Sequence, residues 1–157
     1  MRWDLIDKFE ILKKSSHARA LKLFVGDEDF FEEHYASKAL VPDPFFIEMI
    51  AQAGGVLFGL ELGFNKEVIL AKIEFARFFK TVTPPCQFII EASLTEARED
   101  GAWISGAVWL GKDKIAEAKL LLVAIEALDS KKKIVFNDNF LKHYDVFEVA
   151  KMSEALA

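Results

Sequence analysis

From Lys8 to Val25 apolar and polar residues alternate in two short runs interrupted at Ser15-Ser16, which predicts a pair of strands. Gly26-Asp27-Glu28-Asp29 then reads as a turn opening a short helix through Glu33, with His34 at its end. After a loop comes Pro42-Asp43-Pro44, where Asp43 is a natural N-cap and Pro44 a natural first helical residue. The helix it opens should run to about Leu62. Ile47, Met49, Ile50, Ala51, Val56, Leu57 and Phe58 cover nearly every side of it, so this helix should be enclosed rather than laid on a surface. Gly54, Gly55 and Gly59 would allow it to approach another backbone closely.

Beyond Gly63 the period falls to two. Ile69, Ala71, Ile73 and Phe75 alternate with residues that include Lys72 and Glu74, and Phe88, Ile90, Ala92 and Leu94 repeat the pattern. Asp100-Gly101 is a tight hairpin signal, so Trp103 to Leu110 should return antiparallel. A last strand from Ile115 to Ile125 becomes almost wholly apolar over Leu120 to Val123, as expected of a strand covered on both faces. The pattern as a whole predicts an α+β domain: a curved antiparallel β-sheet wrapped around one long central helix. The tail differs. Phe140, Tyr144 and Phe147 fall at i, i+4 and i+7 between Asn137 and Met152, which predicts an amphipathic helix with one apolar stripe. We therefore divide the chain into a domain over residues 1–126 and a C-terminal extension over 127–157.

Composition narrows the functional classes. The chain has 157 residues, of which 52% are hydrophobic and 29% charged, which excludes disordered and low-complexity classes. With 25 acidic against 20 basic residues the net charge is −5, so no chain-wide field favours nucleic acid as a partner. The apolar run Pro44 to Leu60 contains Glu48 and Gln52 and reads as a buried helix, so no membrane span is expected. The single cysteine, Cys86, has no partner for an internal disulfide, and no leader precedes the first strand; both fit a cytoplasmic protein. Cys86 also has no histidine nearby in sequence to activate it as a nucleophile.

Three histidines are candidates for proton transfer. His17 lies in a strand-like run and His143 beside Tyr144 on the tail helix, and both read as structural or exposed. His34 sits at a helix-to-loop transition, upstream of Glu48 in the apolar context Phe45-Phe46-Ile47-Glu48-Met49-Ile50. Enclosed there, Glu48 would be desolvated and its pKa raised, leaving a protonated carboxyl able to donate. Gln52, one turn later on the same face, could hold it. An imidazole with a pKa near neutrality and a protonated carboxyl make a base-and-acid pair if the fold unites them.

These residues fall in a pattern. The stretch Phe30-Phe31-Glu32-Glu33-His34-Tyr35 through Val41-Pro42-Asp43-Pro44-Phe45-Phe46-Ile47-Glu48-Met49-Ile50-Ala51-Gln52 resembles the β-hydroxyacyl-acyl carrier protein dehydratases of the FabA/FabZ type, which have the hot-dog fold. His34 and Pro42 are spaced as in that family, and Glu48 and Gln52 fall where its acid and glutamine fall. Ala76-Arg77-Phe78 through Val82-Thr83-Pro84 and Ile115-Ala116-Glu117-Ala118 resemble later family motifs, and the likeness runs from about Trp3 to Glu126.

The resemblance implies a lyase that dehydrates a 3-hydroxyacyl thioester to the trans-2-enoyl thioester in fatty acid or related acyl biosynthesis. The substrate would ride on acyl carrier protein or CoA, and no metal or redox cofactor is implied. It further implies a homodimer or a dimer-based higher oligomer, with His34 of one chain facing Glu48 of the other across an acyl tunnel. The backbone N–H of Asp43 would bind the thioester oxygen, with Pro42 and Gln52 in support. Glu33, Ala36-Ser37 and Asp43 stand where the family has glycine, Pro-Gly and glycine, and Pro85-Cys86 where it has Gly-Asp. Two alternatives follow from the same fold: a non-catalytic acyl-binding or scaffold protein, and an acyl thioesterase using Glu48. Phe45, Phe46, Phe75, Phe78 and Phe79 divide between core and tunnel wall. Arg77, Lys80 and Lys131 to Lys133 are the candidates for a basic patch facing an acidic carrier protein.

Overall fold

The computed structural model describes residues 4–34, 39–126 and 135–156, with the side chains of 32–34 outside that description. Strands β1 (Lys8–Lys13) and β2 (His17–Phe24) form the first hairpin, followed by α1 (Asp29–His34) and α2 (Asp43–Glu61). Then come β3 (Glu67–Phe78), β4 (Cys86–Ala97), β5 (Gly101–Leu110) and β6 (Asp113–Ile125), and the chain closes with α3 (Asp138–His143) and α4 (Val146–Glu154). The strands make one six-stranded sheet in the order β1-β2-β4-β5-β6-β3, every pair antiparallel.

Helix α2 packs against β2, β3, β4, β5 and β6, so the sheet curls around it. Its Phe46, Met49, Ile50, Leu57 and Phe58 are fully buried against inward residues such as Phe88, Ile90, Ile104 and Leu120. Removing side chains of that size from water is the main favourable term of the fold, about 1.5–3 kcal/mol each. Gly54 is needed for the fit, since a β-carbon there would lie 2.7 Å from Cγ2 of Ile104 on β5. The close approach is thus to a side chain, whereas the sequence suggested backbone.

Four sequence expectations need correction. The N-cap of α2 is Pro42, in extended conformation and without a side-chain cap, and Asp43 is the first helical residue. A proline is accepted anywhere in the first turn because its missing N–H would find no helical acceptor there, so Pro44 does not fix the start to within one residue. The tail is two helices, since Asp145 adopts a left-handed backbone (φ 49°) between α3 and α4. Its predicted stripe divides accordingly: Tyr144 is buried while Phe147 is 59% exposed. On β6, Leu120 and Leu122 are buried but Leu121 and Val123 on the outer face are only half-buried.

The two edges of the sheet differ. Along β1, Leu12 N–H donates to Ser153 Oγ of α4 (2.9 Å), and that hydroxyl donates onward to Val149 O (2.7 Å). Just before the strand, Ile6 O accepts from Tyr144 Oη (3.1 Å). Strand β3, at the other edge, pairs with β6 alone and is exposed along nearly all its length, with Ile73 at 45%.

Candidate active site

Helix α2 presents Glu48, Ala51, Gln52 and Gly55 on one face, spaced i, i+3, i+4 and i+7, toward a cavity of about 280 Å³. Side chains on the helix's other faces enter the core, but Gly55 has none to fill its place: a β-carbon added there meets nothing within 4 Å. Glu48 therefore sits exposed at the rim of a notch rather than enclosed by apolar neighbours, which corrects the sequence expectation of a buried carboxyl.

The carboxylate is nevertheless held. Gln52 Nε2 donates to Glu48 Oε1 (3.0 Å), and Gln52 Oε1 accepts from the Leu5 backbone N–H (3.1 Å). Ile6 and Phe9 line the cavity from the segment that Gln52 anchors, and Val68, Ile69 and Leu70 line it from β3. The result is a largely apolar chamber with two carboxylates, Asp4 and Glu48, and the Gln52 amide in its lining, the usual make-up of a small-molecule site.

The N-terminus of α2 is set by two contacts. Val41 N–H donates to Val82 O (2.9 Å) ahead of the helix, and Phe45 N–H turns back to Pro42 O (3.0 Å). Pro44 has no N–H, so the Asp43 amide is the first-turn donor with no helical acceptor, in a position where the helix dipole favours negative charge. The Asp43 side chain is exposed.

Helix α1 is fixed from both ends of its loop. Glu28 accepts from Val25 N–H (2.9 Å) and Gly26 N–H (2.8 Å); burial works to raise its pKa, but these amide bonds outweigh it and hold the carboxyl below its ordinary value. Phe30 and Phe31 lie edge-on to Phe24, at 5.7 and 5.8 Å, and Phe30 edge-on to Phe45 of α2 at 5.0 Å. This aromatic cluster places the backbone of His34, the last residue of α1, on the side of the domain where α2 begins. The side chains of His34 and Glu33, and residues Ala36 and Ser37, lie outside the described residues.

Other candidates lie elsewhere. His17 is on β2 with Nδ1 against Ser16 Oγ (3.0 Å), and His143 packs edge-on to Tyr144 at the end of α3. Cys86 is buried, and burial, with the Glu28 charge second, pushes its thiol up to about 11. Arg77 is paired with Glu117 (3.0 Å) and Lys80 with Asp113 (2.9 Å), both exposed at the surface; Lys131 to Lys133 lie outside the described residues. Of the phenylalanines singled out in sequence, Phe46 is core, Phe45 is half-buried, and Phe75, Phe78 and Phe79 are exposed. Pattern missed the aromatic residues that do line the cavity, Phe9, Phe136, Phe140 and Tyr144, because three of them come from the tail. Among the described residues no group of acidic, histidine or cysteine side chains gathers to hold a metal, and no helix is long and apolar enough to cross a membrane.

Comparison with known proteins bears on the same region. A family model described as a FabA-like domain matches residues 3–119. The 3-hydroxyacyl-[acyl-carrier-protein] dehydratase FabZ of Hydrogenobaculum sp. is 32% identical over 133 residues, 82% of this chain and 88% of that protein. Its counterpart in Alkalilimnicola ehrlichii is 33% identical over 128 residues, 78% and 82% of the two chains. Among solved structures, the dehydratase heterocomplex ApeI:P from Xenorhabdus doucetiae superposes with a TM-score of 0.65 at 19% identity, covering 78% of this chain and 84% of that one.

Proposed function

The chain belongs to the family of FabA-like domains and has the hot-dog fold, and on that premise we propose that it is a lyase interconverting a 3-hydroxyacyl thioester and its trans-2-enoyl thioester in fatty acid or related acyl biosynthesis. The observation that carries this reading is the Glu48–Gln52–Leu5 chain of hydrogen bonds at the rim of an apolar cavity on α2, a helix that opens at Asp43. Residues 1–126 would form the dehydratase unit and 127–157 an extension.

In the dehydration direction His34 takes the α-proton and the Asp43 N–H holds the thioester oxygen as it gains charge. The electron pair of the broken C–H bond forms the double bond. The C–O bond at the β-carbon breaks, and Glu48 protonates the departing hydroxyl, directly or through one water. Water leaves and the thioester stays intact. The two roles need opposite protonation states, which calls for a bell-shaped pH–rate profile.

The site is completed in this reading by a second copy of the chain. A long edge strand with exposed apolar residues is a template for pairing, and Ile69 and Leu70 belong both to that edge and to the cavity wall. Pairing of β3 with its counterpart would roof the cavity and bring the second chain's His34 to Glu48, as the resemblance implies. The thioester would be carried by acyl carrier protein or CoA, in the cytoplasm.

The test follows the ultraviolet absorbance of a trans-2-enoyl thioester together with free thiol, using the wild type, His34→Ala and Glu48→Gln. Loss of the enoyl band in the wild type alone, without thiol, supports the proposal. Thiol release would make the protein a thioesterase, and silence in both signals a non-catalytic acyl-binding protein.

A further inference from the structure

Part of the cavity wall comes from residues beyond the matched 3–119. Phe136, Phe140 and Tyr144 form an aromatic row with centroid separations of 5.6 and 4.9 Å, and all three line the chamber together with the α2 and β3 residues described above. We propose that this row of the C-terminal extension sets the length of the acyl chain the site accepts. The inference rests on reading the cavity as an acyl-thioester site and adds its specificity determinant.

The row is built in rather than draped. At its start Val135 N–H donates to Oε2 of the buried Glu67, the first residue of β3 (3.1 Å). Asn137 Oδ1 caps α3 by accepting from Phe140 N–H (2.9 Å), which orients the ring-bearing turn. Tyr144 is tied by its hydroxyl to Ile6 O (3.1 Å), and Phe136 packs edge-on to Phe64 at 5.2 Å just beyond the end of α2. A wall held at both ends stops an acyl chain more sharply than a loop that can be pushed aside. The chamber is about 280 Å³, just below the ~300–1,000 Å³ typical of ligand pockets, so each ring and each missing side chain weighs on what fits.

Two positions move the limit in opposite directions. Phe140 is half-buried, and Phe140→Ala enlarges the chamber without emptying the core. Gly55 faces open space, and Gly55→Leu fills it from α2. Calorimetric binding of saturated acyl N-acetylcysteamine thioesters, butanoyl through dodecanoyl, reads the limit directly, and hydration rates of the matching enoyl thioesters read it in turnover. In the wild type, affinity should rise about fourfold for each methylene accommodated and then stop rising. Phe140→Ala should move the stopping point to longer chains and Gly55→Leu to shorter ones.

Both variants keeping the wild-type stopping point, with native circular dichroism, would overturn the inference; so would affinity that ignores chain length in the wild type. The opposite shifts in binding without any turnover would keep the aromatic wall and overturn the lyase reading. Turnover with an unmoved limit would do the reverse. Should Phe140→Ala not fold, the milder Phe140→Leu takes its place: a stopping point moved to longer chains supports the row, and an unmoved one overturns it.

Discussion

Gln52 joins Glu48 to the N-terminal segment: its Nε2 donates to the Glu48 carboxylate at 3.0 Å while its Oε1 accepts from Leu5 N–H at 3.1 Å. The Leu5 amide can only donate, so it fixes which end of the Gln52 amide faces the carboxylate. A glutamine fits this place and an acid does not. Glu48→Gln, which cannot give up a proton, should lower turnover about 10²–10⁴-fold. Gln52→Ala should lower kcat by about 10–100-fold through lost orientation, with KM little changed, and Gln52→Glu should be no better despite its shape. Steady-state kinetics on an enoyl thioester checks all three.

Neighbouring glycines on α2 should respond oppositely to the same change. At Gly55 a methyl group meets open space, so Gly55→Ala should stabilise the fold by about 0.5–1 kcal/mol through helix propensity alone. At Gly54 the added carbon would press on Ile104 at 2.7 Å, and Gly54→Ala should destabilise by about 1–3 kcal/mol. Urea denaturation of the two variants against the wild type measures the contrast.

The open edge carries the prediction for assembly. Ile73, at 45% exposure on β3, is paired through the backbone with Leu120 on one side only. Ile73→Lys should leave the monomer folded and weaken self-association by at least ~10-fold, since a buried unpaired ammonium opposes the contact. Sedimentation equilibrium at several concentrations distinguishes this from an unchanged assembly.

Cys86 should be inert near neutrality. Its pKa of about 11 against an ordinary value of 9.0 leaves about 100-fold less thiolate than an unperturbed cysteine, and burial further limits access. Iodoacetamide near pH 8 should label the native protein slowly and the urea-unfolded protein fast. Linkage has a definite sign here. Below about 9 both states keep the proton; between about 9 and about 11 the unfolded chain loses it first, so stability should fall there with rising pH. The fall should be smaller in Cys86→Ala.

The pattern of the chain made the central helix and the strand hairpins legible because their signals are local. Pro42-Asp43-Pro44 opens α2 and Gly63, at positive φ, closes it; Asp100-Gly101 turns β4 into β5. Glu48 and Gln52 were legible as neighbours by helical spacing alone. Their setting was not. An all-round apolar helix suggests complete enclosure, and nothing in the spacing reveals that Gly55 leaves a notch beside Glu48. Nor does alternation in β3 show that this strand is an edge, which depends on the order of strands far apart in sequence. The i, i+4, i+7 spacing of Phe140, Tyr144 and Phe147 assumes an unbroken helix, and the left-handed turn at Asp145 sends the third ring away from the first two.

The hydrogen bond from Leu12 N–H to Ser153 has a consequence for growth of the sheet. It spends an outward-facing donor of β1 inside the molecule, and α4 covers the strand that would otherwise accept a neighbour. A sheet with one sealed margin and one free margin can be continued once: two copies joined through β3 present sealed margins at both ends. Under the proposed pairing, sheet growth would stop at two copies, because the margins left exposed are the ones α4 covers.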